Sequence, residues 1–412
     1  MRNINPDYIK KSMIIEIILA TFIGALLGII TGITPGIHIN LVSVLILTYS
    51  HFILKYTDPL ILCIVIIGMS ITHSFLDVIP SIFLGAPDEA TALAILPGHR
   101  MLLEGKGYEA IMLTTVGSLG SLLLTVAIIP LFLYSIDYIY ELLKDYIGVI
   151  LLFCSIYLIY KEPHSRYWAF IVFILSGIFG LAVLNYPPLK EPLFPLLSGL
   201  FGISTLATSI SDNVRIPKQD YSLNKMDSNV GLKAILTSTF MGSIASFMPG
   251  LGPSQVAILG SQITKNLKDK GFLILIGGLN TVNMIVSFAT LQAIEKARNG
   301  AVIVMSKIIP IISTEILGIF LAATLIAALP ATFLTIKLSK LFASILEKTN
   351  YKLICIIILI MISSLVIYVC GFIGLFILAV STSIGLIPSN KGIGKNHLMG
   401  CLLLPIMLYF LL

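Results

Sequence analysis

The sequence predicts an all-α polytopic membrane protein built from two related halves. Two observations carry that class. Apolar runs long enough to cross a bilayer recur along the whole chain, and a helix-breaking Pro-Gly occurs at matching places in the two halves. Of 412 residues, 57% are hydrophobic and only 11% are charged, where a soluble domain carries roughly 25% charge. Mean hydropathy is +1.01. Too little polar surface is present to cover a soluble fold. The net charge of +6 is scattered over loops, such as Lys10-Lys11 and Lys265 to Lys270. That distribution suits lipid headgroups and fixes orientation. No basic patch is interleaved with aromatics, so nucleic acid is not an expected partner. The five cysteines (Cys63, Cys154, Cys355, Cys370 and Cys401) all lie in apolar runs without a CxxC. They read as small membrane hydrophobes.

The elements follow in order. Membrane segments are expected at about 13–33, 37–54, 59–84, 110–136, 146–160, 168–186, 193–211, 232–248, 253–264, 271–294, 307–330, 331–346, 351–369, 371–388 and 398–412. The first has a basic start but no small-residue cleavage site, so it is taken as a membrane helix and not a signal peptide. The segments at 37–54, 193–211 and 253–264 read as half-helices or re-entrant pieces, being short against the roughly 20 residues that a spanning helix needs. The charged stretch 212–231 lacks apolar periodicity and reads as a surface linker. It separates a first membrane repeat, 1–211, from a second, 232–412.

The halves correspond. Setting Pro35-Gly36 on Pro249-Gly250, an offset of 214, puts Gly24 on Ser238, Gly28 on Gly242, Gly32 on Ser246 and Asn40 on Ser254. A second correspondence, at an offset of 193, sets the block from Gly85 to Gly107 on the block from Gly278 to Gly300. Small residues every fourth position let helices approach closely. Proline disfavours helix in the residue before it and removes a donor. Broken backbone is tolerated at membrane depth only inside protein or along a wet cavity. Paired breaks in two repeats are therefore the pattern of a transport site near the midplane. The free N–H groups of each new half-helix suit an anion. Thr34, Pro35, Gly36, His38 and Asn40 from the first half, and Pro249, Gly250, Gly252 and Ser254 from the second, are the expected substrate-binding residues. Gly252-Pro253-Ser254 reads as a helix start.

Further polar residues sit in apolar surroundings. Asp88 follows a second break at Gly85-Ala86-Pro87; it either caps a re-entrant tip or contacts a coupling cation. Asn280 and Asn283 either offer carbonyl oxygens to Na⁺ or bond between helices. His73 and Asp77, four residues apart on one helix face, form either a proton relay or a satisfied structural pair. Glu315 is another acid within an apolar run. Pro97-Gly98-His99-Arg100 and the stretch from Glu104 to Glu109 read as a polar loop at the membrane edge. No Walker loop, GxSxG, HExxH or DxD pair occurs, so no enzyme is expected, and no ATP-driven pump on this chain alone. No cofactor or metal is expected beyond Na⁺ as a coupling ion.

"GIITGITPGIHINLVSVLIL", "GAPDEATALAILPGHRMLLEGKGYEAI" and "GSIASFMPGLGPSQVAIL" resemble the large membrane subunit of tripartite tricarboxylate transporters, the TctA family. The family's block after the first break is matched at Gly85, Pro87, Ala90 to Leu93, Met101, Gly105, Gly107 and Ala110. The resemblance implies a secondary transporter moving a di- or tricarboxylate with Na⁺ or H⁺, in the cell membrane, with a small membrane subunit and an extracellular binding protein as partners. The chain departs from the family pattern at Asp88 and in "GLNTVNMI", which fits a divergent branch. The reading is then a cation-coupled carboxylate transporter with inverted repeats, surrounded by membrane lipids, for which a homodimer is an allowed assembly. The half-helix starts and His38, Asn40 and Ser254 would hold the anion. Asp88, Asn280, Asn283, His73 and Asp77 are the cation or gate candidates. Two other classes stand beside it: a carrier that flips a lipid-linked phosphate, and a membrane scaffold without flux.

Overall fold

The computed structural model describes residues 11–34, 39–85, 91, 93, 95–189, 191–211, 216–223, 227–247, 252–264, 267–295 and 299–412. The regular elements among them are helices: α1 (Lys11–Ile33), α2 (Ile39–Thr48), α3 (Ser50–Ile53), α4 (Pro59–Leu76), α5 (Val78–Leu84), α6 (Ile95–Leu103), α7 (Gly107–Leu143), α8 (Ile147–Tyr160), α9 (Arg166–Leu184), α10 (Leu193–Leu197), α11 (Ser204–Ser211), α12 (Ser228–Phe247), α13 (Pro253–Ile263), α14 (Lys268–Ile294), α15 (Gly300–Ile308), α16 (Thr314–Lys348), α17 (Tyr351–Lys391) and α18 (Gly400–Leu411). A π-turn, Ser198–Ile203, joins α10 to α11, and a 3₁₀ turn, Lys395–Met399, leads into α18. Among the described residues nine helical stretches are long and apolar enough to cross a membrane. The protein is a multi-pass membrane protein.

Two spans form the centre. The stretches Pro59–Leu84 and Lys268–Ile294 are each 83% buried, against 28% for the span in α1 and 22% for α17, whose apolar faces meet lipid. Helix α4 starts where Asp58 accepts the Leu60 N–H at 2.8 Å and Pro59 takes the first helical position, a start that satisfies one orphan donor and wastes none. Helix α1 lies on α4. A side chain at Gly24 would collide with the Val65 carbonyl, and one at Gly68 with the Thr21 carbonyl. Helix α12 lies on α14 in a similar way, with Ser238 beside Gly278 and Gly242 beside Val282. In both units a helix ends, a short helix follows (α2 of 10 residues, α13 of 11), and the chain then enters the buried helix. Contacts cross between the halves: α4 packs on α16 and α14 packs on α7. At the α7–α14 crossing the backbones touch, since Gly117 faces Ile274 and Gly277 faces Thr114. The Ser118 hydroxyl there donates to the Gly277 carbonyl at 3.0 Å.

The structure corrects several expectations. The second correspondence holds at one end, where Gly107 and Gly300 each open a helix, and differs at the other. Gly85 ends α5 in a left-handed conformation (φ 60°), whereas Gly278 lies within α14. Glycine serves chain reversal at one place and close helix packing at the other, so letter matching aligned unlike roles. From Thr314 onward the segments expected at 307–330 and 331–346 are one helix, α16, with Pro330 inside it, while Lys307 and Ile308 end α15. Proline is tolerated within membrane helices because neighbours re-satisfy the freed backbone. The stretch 193–211 is a continuous helical run, not a half-helix, because the π-turn carries it through. Pro97 to Arg100 lie in α6 and His99 is buried, so this is no solvated loop. Glu315 is exposed in the first turn of α16.

Among the described residues of the polar linker, Lys218 and Asp220 to Leu223 are exposed, and one side chain turns inward. Gln219 is 2% exposed. Its side-chain carbonyl accepts from Gly107 N–H at 2.8 Å, and its amide donates to the Leu102 and Pro217 carbonyls at 3.0 and 2.9 Å. Its backbone N–H donates to Glu347 of α16 at 2.7 Å. Sequence polarity signalled water; here it serves hydrogen bonding to a helix start.

Candidate functional site

Helix α4 delivers His73 in its last turn and Asp77 at its end. Both are buried, 5% and 4% exposed. His73 Nε2 lies 3.9 Å from Asp77 Oδ2, an ion-pair spacing and not a hydrogen bond. The second partner comes from the other half: Asn280 Nδ2 of α14 donates to Asp77 Oδ2 at 2.8 Å, and to the Ser74 carbonyl at 3.4 Å. One turn of contact further, the Ser74 and Thr281 hydroxyls meet at 3.4 Å. A carboxylate out of water is stable only when paired and hydrogen-bonded. The structure thus brings together His73, Asp77 and Asn280, three of the five cation candidates.

Asn283 stands one turn along α14. The Ser246 hydroxyl of α12, which reaches the Gly242 carbonyl at 2.7 Å, lies 3.3 Å from the Asn283 carbonyl oxygen and 3.4 Å from its side-chain oxygen. Ser246 precedes the second break by three residues. The end of α1 reaches α4 in the same manner, for Gly32 lies against His73 and Leu76. The helix ends before both breaks therefore flank one central polar cluster. Along residues 273–291 of α14 only Asn280 and Asn283 keep partial exposure; every other position is buried. Two amides three residues apart share a helix face, so an accessible space reaches this face of the buried helix.

The anion candidates divide. Pro35, Gly36, His38, Pro249, Gly250 and Asp88 lie outside the described residues. Thr34 is half-buried at the end of α1, its N–H bonded to the Ile30 carbonyl at 3.2 Å. Asn40, in the first turn of α2, packs directly on Gly300, where a Cβ would meet its side chain at 2.6 Å. Gly300 opens α15, whose Asn299 cap accepts from Ala301 N–H at 3.0 Å. Two helix starts from different halves therefore meet at Asn40, and each carries partial positive charge. Gly252 is the extended cap of α13 with Pro253 in the first position, and Ser254 is buried in that first turn.

A second polar group escaped the sequence reading. Lys395 is 7% exposed, and its ammonium donates to Thr205 Oγ1 at 2.7 Å and Ser204 Oγ at 3.1 Å. His99 Nε2 lies 3.4 Å from both Ser209 Oγ and the Tyr351 hydroxyl. Burial pulls the His99 imidazole down to about 4; the Ile82 carbonyl opposes this and the charge of Lys395 reinforces it. Beside them, His397 Nε2 and Glu162 Oε2 are 2.8 Å apart and buried. Nothing in "KGIGKNHLMG" distinguishes a buried lysine from a loop lysine, because the hydroxyls that hold it come from α11, about 190 residues away.

Helix ends flanking a buried polar cluster in a multi-pass helical protein are the arrangement expected of a membrane transport protein. The chain belongs to the tripartite tricarboxylate transporter TctA family, whose model matches residues 18–400. It is also similar to an uncharacterized protein of Methanocaldococcus jannaschii, at 30% identity over 411 residues, which covers 96% of this chain and 99% of that one. No solved structure matches it.

Proposed function

We propose that the protein is a secondary transporter that moves a small di- or tricarboxylate across the membrane, coupled to Na⁺ or H⁺. The family supports a component of a tricarboxylate transport system. The observation that carries the reading is the cluster of His73 and Asp77 from α4 with Asn280 and Asn283 from α14, flanked by the ends of α1 and α12, in which the two amides keep partial exposure on an otherwise buried helix. A carboxylate and two amides offer hard oxygen ligands to a cation, and His73 beside Asp77 offers a proton site. The helix starts of α2, α13 and α15 are the anion side of the site, with Asn40 and Ser254 adding side-chain hydrogen bonds; Thr34, Pro35, Gly36, His38, Pro249, Gly250 and Gly252 shape the breaks. Asp88 belongs to this reading as a gate. The two units act as inverted repeats, and a small membrane subunit and an extracellular binding protein complete the system.

The test is a thermal-shift screen of purified protein against carboxylates and phosphates, each with and without Na⁺ and across pH. A ligand at 100 times its dissociation constant stabilises by about 2.7 kcal/mol. The expected result is stabilisation by a di- or tricarboxylate that depends on Na⁺ or on pH and is lost in Asp77→Asn. Carboxylate uptake into proteoliposomes that survives Gly36→Leu combined with Gly250→Leu would sink the anion assignment.

A further inference from the structure

Helix α11 holds a buried ammonium, Lys395, that has no counter-charge among the described residues. Lys395 has two hydroxyl partners, Ser204 and Thr205, and among the described residues no carboxylate lies within ion-pair distance of it. Those hydroxyls are themselves committed as donors. Ser204 donates to the Leu200 carbonyl at 2.6 Å and Thr205 to the Phe201 carbonyl at 2.6 Å, both carbonyls belonging to the π-turn. Each hydroxyl therefore meets the ammonium with an oxygen lone pair. Three N–H donors face two acceptors, and the charge is spread only into π-turn carbonyl dipoles.

Thr205 and Ser209 are one turn apart on the same face of α11, so the His99–Ser209–Tyr351 group continues the polar stripe that begins at Lys395. Among the described residues, other ionisable groups on elements packed here have other partners; Arg166 of α9 stacks over Tyr160. Tyr351 hydrogen-bonds His99, and Cys355 lies beside Tyr351 on α17. Lys391, at the end of α17, stacks over Trp168. Glu162, from the loop before α9, is taken up by His397, Gly394 and His164. Cys401 opens α18 as a buried thiol. None of these supplies Lys395 with a negative charge. An isolated buried charge is costly enough that such groups give up their charge instead, and π-turns recur where helices carry functional distortions.

We propose that Lys395 is a proton-binding site, separate from the His73–Asp77 cluster, at which one proton is exchanged between ammonium and amine. Proton loss leaves a neutral amine that still bonds Ser204 or Thr205 and removes the uncompensated charge. His99, held neutral beside it, keeps the stripe from carrying two charges at once.

The experiment measures thermal unfolding of the full chain in detergent from pH 6 to pH 10, comparing wild type with Lys395→Met, Lys395→Gln and Lys395→Arg. A folded state that disfavours the bound proton gains stability as pH rises. Wild type is therefore expected to gain on the Met and Gln variants by about 2 °C or more over that range. Lys395→Arg cannot shed its proton and is expected to lose ground to wild type as pH rises. A Tm difference between wild type and both neutral variants that is constant with pH overturns the proposal. So does an Arg variant that follows wild type across the range. This readout needs no substrate, so it stands or fails independently of the transport reading. If that reading also holds, carboxylate uptake by Lys395→Met loses part of its pH dependence while Asp77→Asn loses uptake itself.

Discussion

At the scale of single residues, the site depends on a few short hydrogen bonds to charged groups. Asn280 holds the Asp77 carboxylate at 2.8 Å, and a hydrogen bond to a charged group is worth about 1.5–3 kcal/mol. Asn280→Ala is therefore expected to lower stability by about that amount and to abolish any ion-dependent thermal shift; unchanged melting would show that the bond is idle. Glu162 gives a pH-dependent case outside the membrane spans. Burial pushes its carboxyl up, but hydrogen bonds from His397, Gly394 and His164 prevail and bring it below the ordinary carboxylate value. A carboxyl depressed in the folded state contributes stability above its unfolded pKa, about 4.3 for Glu, and loses it as pH falls through the folded value. Glu162→Gln is expected to melt below wild type at pH 7 and to converge with it below about pH 4. Parallel melting curves at all pH values would remove the Glu162 charge from the stability of the 394–397 turn.

At the scale of elements, the strap 216–223 and the crossing of α7 with α14 hold the halves in register. Gln219 satisfies the first N–H of α7 and accepts no substitute of shorter reach. Gln219→Ala leaves that buried donor unpaired, at a cost of about 1–3 kcal/mol. Limited proteolysis is expected to cut the linker faster in this variant, with thermal unfolding as the second measure. Lys270 and Glu109 add an ion pair at 2.5 Å between the starts of α14 and α7, with Glu109 buried. This strap shows where sequence polarity misleads. A glutamine whose partners are backbone groups 112 and 117 residues away looks like any linker residue. The start of α13, by contrast, was legible, since Pro253 acts on its own neighbours.

At the scale of the whole molecule, neither half is independent. The buried helix of each half packs on a long helix of the other, α4 on α16 and α14 on α7. The Asp77–Asn280 bond crosses the same boundary. Residues 1–211 and 228–412 expressed separately are expected to aggregate in mild detergent, and co-expressed halves to co-purify as one species on size exclusion. A monodisperse single half would show that the inter-half contacts are dispensable. The burial contrast between the central spans and α17 accounts for the apolar exterior: exposed Phe372, Tyr368 and Phe376 are normal for a lipid face.

The sequence by itself determined the membrane class, most helices and the polar residues that had to be explained. These follow from local physics: hydrophobic length, proline geometry and the cost of polar groups in hydrocarbon. Only the tertiary structure decided that Asp77 meets Asn280, that Asn40 sits at the start of α15, that Gln219 is buried, and that Lys395 is buried against two hydroxyls of α11. These pairings join residues about 100 to 260 positions apart. Nothing in the neighbouring letters encodes such distant partners, because helix packing sets them through shape and not through local propensity.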